Sequence, residues 1–215
     1  MCHDASCLMS APNATLAPRR GRPPAAVRED VLARATHSYL RGRRVDVQAI
    51  AAELGLGRST IYRWFGSRDG LISEVLMRVT EPLLEDARKR ARGTGGRALL
   101  ETFDRFNRKI AEAPALRQFV ERERAAALRV LTSGAGGVQP RLVALITEVI
   151  TDEVRAGDYE PPIDPATLGY AIVRLAEAFI YNDTGNLLRG DVDRLRDVEA
   201  ALLGVSGAGR AAAKS

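Results

Sequence analysis

The stretch from Asp46 to Gly70, DVQAIAAELGLGRSTIYRWFGSRDG, constrains this chain more than any other. Asp46 precedes VQAIAAEL, and its carboxylate suits the first free amides of a helix. Val47, Ile50, Ala51 and Leu54 fall at helical spacing on one face. Gly55 then stands where a helix end favours a left-handed residue, so the chain can turn sharply. A second short helix, about Arg58 to Trp64, follows at once, with Ile61 and Phe65 inward and Arg58, Ser59, Thr60 and Tyr62 outward. Ser67 caps a third, longer helix. Two short helices around a glycine turn, the second rich in hydrogen-bonding side chains, have the pattern of a helix-turn-helix.

The charge distribution agrees. The chain carries a net charge of +5 over 215 residues, but residues 19 to 68 hold 11 arginines against 4 acids, a local net of +7. The remainder, from Asp69 onward, is close to neutral. A basic head on a neutral body is the electrostatic footprint of a nucleic-acid binder, whereas a merely arginine-rich composition would spread its charge evenly. Just upstream, Arg19-Arg20-Gly21-Arg22-Pro23-Pro24 reads as a short extended arm. Its Arg20-Gly21-Arg22-Pro23 looks like the core of an AT-hook, whose arginines enter a narrow minor groove. The alternative is a basic tail that touches phosphates without sequence preference.

Ile50-Ala51, Gly55-Leu56, Thr60-Ile61-Tyr62, Phe65, Ser67-Arg68 and Leu71 together resemble the DNA-binding signature of the TetR family of transcriptional regulators. The resemblance covers roughly the first third of the chain. It implies an all-α protein with an N-terminal three-helix head, containing the helix-turn-helix, on a larger helical ligand-binding and dimerisation body. It also implies roles residue by residue. Gln48 and Arg58 sit where base-edge contacts are made, Arg58 suiting guanine and Gln48 adenine. Ser59 and Thr60 meet a thymine methyl or a phosphate. Tyr62, Trp64 and Arg68 match positions that hold the DNA backbone, with Trp64 where the family commonly has His and Arg68 where it has Lys. Packing between head helices is the competing role for Tyr62 and Trp64. The loop Arg41 to Arg44 departs from the usual family spacing.

The rest of the chain reads as helices. The first runs from Pro24 or Ala25 to about Leu40, with Val27, Val31, Leu32 and Ala35 inward; His37 on it is expected to be structural. The helix after Ser67 extends to about Arg92, and Pro82 inside it is expected to kink or break it. Leu99, Phe103, Phe106 and Ile110 form one face of the next helix. Pro114 starts another, carrying Leu116, Phe119, Val120 and Leu131 inward, and its charged run from Arg117 to Arg129 reads as a solvated face. After the glycine-rich Ser133 to Gly137 come helices over Leu142 to Val154, from Asp164, and from Asp191. In the helix from Asp164 the stripe Leu168, Ile172, Leu175, Phe179 runs on into Asn182 and Asp183. Those polar groups line a pocket, bond across a dimer, or mark the end of burial.

By resemblance, residues 165–204 pair with their copies in a homodimer that presents two readers to a palindromic operator. AFIYNDTGNLLRGD followed by DVEAALLG resembles the C-terminal domain of regulators of quorum-signal degradation, which implies a lactone or acyl-type effector. A small, partly apolar effector would enter the body, for which Phe103, Phe106, Phe119, Tyr170, Phe179 and Asn182 are candidate contacts. The expected division is a disordered leader (1–18), arm and helix-turn-helix (19–68), effector-binding and dimerisation domain (69–205) and a disordered tail (206–215). The rival reading is an architectural DNA binder that relies on the arm.

Other classes find less support. No Ser-His-Asp, metal or nucleotide pattern is present, so neither an enzyme nor a bound cofactor is expected. Cys2, His3 and Cys7 make a poor metal site in an unstructured leader. With no disulfide framework, no signal peptide and no run of eighteen apolar residues, a cytoplasmic protein without membrane contact is expected.

Overall fold

The computed structural model describes residues 24–134, 137–181 and 191–205. Among them are ten helices and no strands. They are α1 (Pro24–Leu40), α2 (Val47–Leu54), α3 (Arg58–Phe65), α4 (Arg68–Arg90), α5 (Gly95–Glu112), α6 (Pro114–Arg122), α7 (Arg124–Thr132), α8 (Val138–Arg155), α9 (Pro165–Tyr181) and α10 (Val192–Leu202). The all-helical expectation holds.

The head forms as its local chemistry dictates. The Asp46 carboxylate accepts from the amides of Gln48 and Ala49 at 2.8 and 3.2 Å, which fixes the start of α2. Gly55 ends α2 at φ +65°, a conformation that a side chain would strain. Ser67 Oγ accepts from the amide of Gly70 at 3.0 Å and starts α4. Val31, Ala35, Val47, Ile50, Ile61 and Phe65 are buried between α1, α2 and α3. The Arg28 guanidinium lies over the Phe65 ring, 4.6 Å from its centroid.

These head residues belong to the same continuous apolar core as Leu99, Phe103, Ile150 and Leu168 of the body. The head is therefore packed onto the body through α1 and α4 rather than tethered by a linker. α4 runs through Pro82 unbroken; the ring costs one backbone hydrogen bond but not the helix. α8 and α9 lie against each other closely enough that a Cβ at Gly169 would meet Thr147 Oγ1 at 2.4 Å.

One expected helix is two. The segment from Pro114 breaks at Glu123, whose φ of −134° and ψ of 45° interrupt the helix between α6 and α7. Its run of charges is not simply a solvated face. Glu123 accepts from both terminal nitrogens of Arg68, at 2.8 and 2.7 Å. Arg129 of α7 pairs with Asp69 at 2.7 Å, and Arg122 donates to the carbonyl of Gly42. The break between α6 and α7 is thus tied to the base of the head.

Candidate functional site

Two surfaces have the composition of a working site. The first is the outer face of α2 and α3. Gln48, Arg58 and Ser59 are exposed, as is Tyr62, while Thr60 is half-buried. This face presents a guanidinium, an amide and three hydroxyls, the groups that suit base edges and phosphates. Because Ile61 and Phe65 are buried on the opposite side of α3, the helix cannot rotate without losing its core contacts.

Two sequence-predicted contacts are placed differently. Trp64 is half-buried and packs against the core, which favours its packing role over a phosphate contact. Arg68 does not stand free at the surface. Its Nε donates to the Val45 carbonyl at 2.8 Å and its terminal nitrogens hold Glu123. All three guanidinium nitrogens of Arg68 make contacts inside the protein, joining the α1–α2 loop to the α6–α7 break. Arg20 and Arg22 of the arm lie outside the described residues.

The second surface is a cavity of 320 Å³ in the body. Its walls come from α4, α5, α8 and α9, from Ala113 to Leu116 at the start of α6, from Leu131 of α7, and from Tyr39 and Leu40 at the end of α1. Aliphatic and aromatic side chains dominate, among them Leu76, Leu83, Phe106, Ile110, Leu142 and Ile180. Polar groups are few: Thr80, Asn107, Tyr39, Tyr181 and Glu177. A mostly apolar hollow with a few convergent polar groups suits a small, partly apolar molecule.

Of the aromatic contacts expected from sequence, Phe106 lines this cavity, but Phe103, Phe119, Tyr170 and Phe179 do not. Phe103 is 1% exposed and sealed in the core one turn from Phe106. Phe119 stands behind the wall, its ring edge-on to Tyr39 with centroids 6.2 Å apart. Phe179 packs against the core elsewhere, and Tyr170 is 52% exposed on the outside of α9. Asn182 lies outside the described residues.

Sequence reasoning missed the two buried acids. Glu177 lines the cavity and accepts from Arg174 at 2.7 Å; burial pushes its carboxyl up to about 7 despite that partner. Glu199 of α10 is fully buried and accepts from Asn107 at 2.9 Å, while its Oε2 has no partner. Burial raises it to about 8, with Asn107 opposing and the nearby Asp104 reinforcing. A signal existed for both. Glu177 falls four residues after Val173 and three before Ile180, and Glu199 lies midway between Leu195 and Leu203, so each occupies an inward position of its helix. Among the described residues, no group of His, Cys, Asp and Glu could hold a metal ion, and no helix is long and apolar enough to cross a membrane.

Comparison with known proteins bears on both surfaces. Residues 42–75 match the family described as bacterial regulatory proteins, tetR family, and residues 94–204 match the tetracyclin repressor-like C-terminal domain. No curated protein matches the chain. Among solved structures, the R. erythropolis transcriptional repressor QsdR from the TetR family is 28% identical, with a TM-score of 0.78 over 86% of this chain and 98% of that one. The TetR family repressor AlkX from Dietzia sp. strain DQ12-45-1b, implicated in biodegradation of n-alkanes, is 21% identical. It shares the fold at a TM-score of 0.55, over 86% of this chain and 96% of that one.

Proposed function

The chain belongs to the TetR family of DNA-binding, helix-turn-helix transcriptional regulators, and from that premise we propose that it is a repressor released from its operator by a small, partly apolar effector. The observation that carries this reading is the composition of the cavity wall. Tyr39 and Leu40 close α1 of the head, and they share one hollow with body residues from α4 to α9. An occupant therefore touches the head and the body at once.

Residues 19–68 serve as arm and reader, and 69–205 as the effector-binding and dimerisation body. Gln48, Arg58, Ser59, Thr60 and Tyr62 read or hold DNA, and Arg68 positions the reader by tying the Val45 carbonyl to Glu123. α9 and α10, within residues 165–204, pack against a second copy, which gives the two readers that a palindromic operator needs. Exposed Tyr170 on α9 and Val198 on α10, with Ile163 just ahead of α9, support that face. Tyr170 thus moves from the pocket to the subunit contact.

The geometry supports a route for release. Pro114, Ala115 and Leu116 open α6 and line the cavity, and the same short helix ends at Glu123, the carboxylate that holds Arg68. An effector that fits better when α6 is displaced favours the state in which that grip, and with it the reader spacing, is altered. Only differential affinity does this, and a coupling of about 1–3 kcal/mol weakens operator binding roughly 5- to 150-fold. The resemblance to regulators of quorum-signal degradation makes lactones and acyl compounds the first effectors to screen. The test is operator release: fluorescence anisotropy on labelled upstream DNA, with a screen of such compounds. Dissociation by one compound class, saturating and specific, is the expected outcome. A chain that holds its operator against every compound small enough for the cavity would remove the effector step.

A further inference from the structure

Two hydroxyls of the cavity wall have no assigned task. The Tyr39 and Tyr181 hydroxyls make no hydrogen bond to another described residue, although both residues line the hollow. Glu177 lies beside them in the same wall. Their proximity shows in Tyr181, whose hydroxyl is pushed well above the usual tyrosine range by burial first, then by Tyr39 and by Glu177. Two hydroxyls and a carboxyl in the wall of a largely apolar hollow give an occupant a polar end to bond.

The charges restrict what that partner can be. Glu177 is the only Asp, Glu, Lys, Arg or His among the described residues of the wall, so an anionic head would meet a carboxyl whose partner Arg174 stands outside that wall. A cationic head would compete with Arg174, which already holds Glu177 at 2.7 Å. Hydroxyls both donate and accept, and so suit an uncharged head.

We propose that Tyr39, Tyr181 and Glu177 form a polar subsite that takes the hydrogen-bonding head of an uncharged amphiphile, with its apolar part against Leu76, Phe106, Leu142 and Ile180. Tyr39 belongs to α1, so the head group is read partly by the DNA-binding head itself. Phe119 holds the Tyr39 ring edge-on from α6, so a ligand that engages this tyrosine acts on the contact between α1 and α6. The inference rests on the effector reading above and extends it to the class of ligand and the residues that select it.

The test is calorimetric titration of the full chain with decanamide, decanoate and decylammonium, which share a tail and differ in head charge. Decanamide is expected to bind at least about 10-fold more tightly than either ion. Y39F and Y181F keep both rings, and each is expected to weaken decanamide about 5- to 10-fold, the worth of one hydrogen bond, with smaller effects on the ions. If Y39F fails to fold, as judged by its thermal transition, Y181F carries the test. Equal or tighter binding of either ion, no binding of any probe, or indifference to both substitutions overturns the subsite. Operator discrimination by the wild-type chain, measured on the same preparation, separates the two readings. Lost head-group selectivity with operator discrimination intact removes the subsite alone. Lost discrimination with selectivity intact removes the regulator reading alone.

Discussion

The tie between Arg68 and Glu123 joins residues 55 apart in sequence and fastens the base of the head to the break between α6 and α7. Its removal has a calculable effect. The side chains are 21% and 16% exposed and meet through two contacts of 2.8 and 2.7 Å. Exposed pairs contribute up to about 1 kcal/mol, and breaking a fully buried pair costs about 3–5 kcal/mol. Glu123→Ala, intermediate in burial, should therefore cost about 2 kcal/mol, or roughly 4–8 °C in Tm for a chain of this size. Arg68→Ala also frees the Val45 carbonyl and should cost about 3 kcal/mol. Urea unfolding of both single variants and the double variant gives the coupling energy, expected at about 1–2 kcal/mol. A coupling below about 0.5 kcal/mol would refute the argument. Operator binding adds a second discriminator. If Arg68 served only as a phosphate contact, Arg68→Ala would weaken DNA binding at unchanged urea midpoint, and Glu123→Ala would alter neither. If the tie positions the reader, both substitutions impair the operator complex.

Three further outcomes follow from other parts of the molecule. Arg58→Ala should cost about 1–3 kcal/mol in operator affinity and flatten discrimination at one base position, read by competition with single-base operator variants. Glu199 has a folded value of about 8, above its unfolded 4.5, so the stability it lends is full below the unfolded value and is lost as pH rises towards 8. Glu199→Gln should therefore raise Tm at pH 8 and flatten its decline from pH 5, Glu177 supplying the slope that remains; parallel curves for the two proteins would contradict this. Ala176→Phe places a ring in the cavity and should abolish effector response while operator binding persists, as tested by the same anisotropy titration.

The head was legible in the sequence because its signals are local. Asp46, Gly55 and Ser67 fix helix ends through groups two or three residues away, and Ile61 with Phe65 orients α3 by spacing alone. Arg68 shows where locality ends. Its position in the motif suggests a phosphate contact, and the structure adds a partner, Glu123, which no pattern around either residue reveals. The cavity was harder for a related reason. Phe103 and Phe106 lie on the same stripe one turn apart, yet one is core and the other faces the hollow. A periodic stripe says which side of a helix faces inward, not whether the space there is filled. Choosing residues by aromaticity therefore mixed Phe106, which lines the hollow, with buried Phe103 and Phe119 and exposed Tyr170, which do not. Glu177 was the better signal, an acid at an inward position that must be explained by what surrounds it.

The most direct test of the account is binding of the purified chain to its own upstream DNA and to a scrambled duplex, at two salt concentrations. The account predicts a specificity ratio of order 10³ or more that survives the higher salt, because Arg58 and Gln48 read base edges. Equal affinity for both duplexes, falling together as salt rises, would contradict it and leave a DNA binder that holds phosphates without reading sequence.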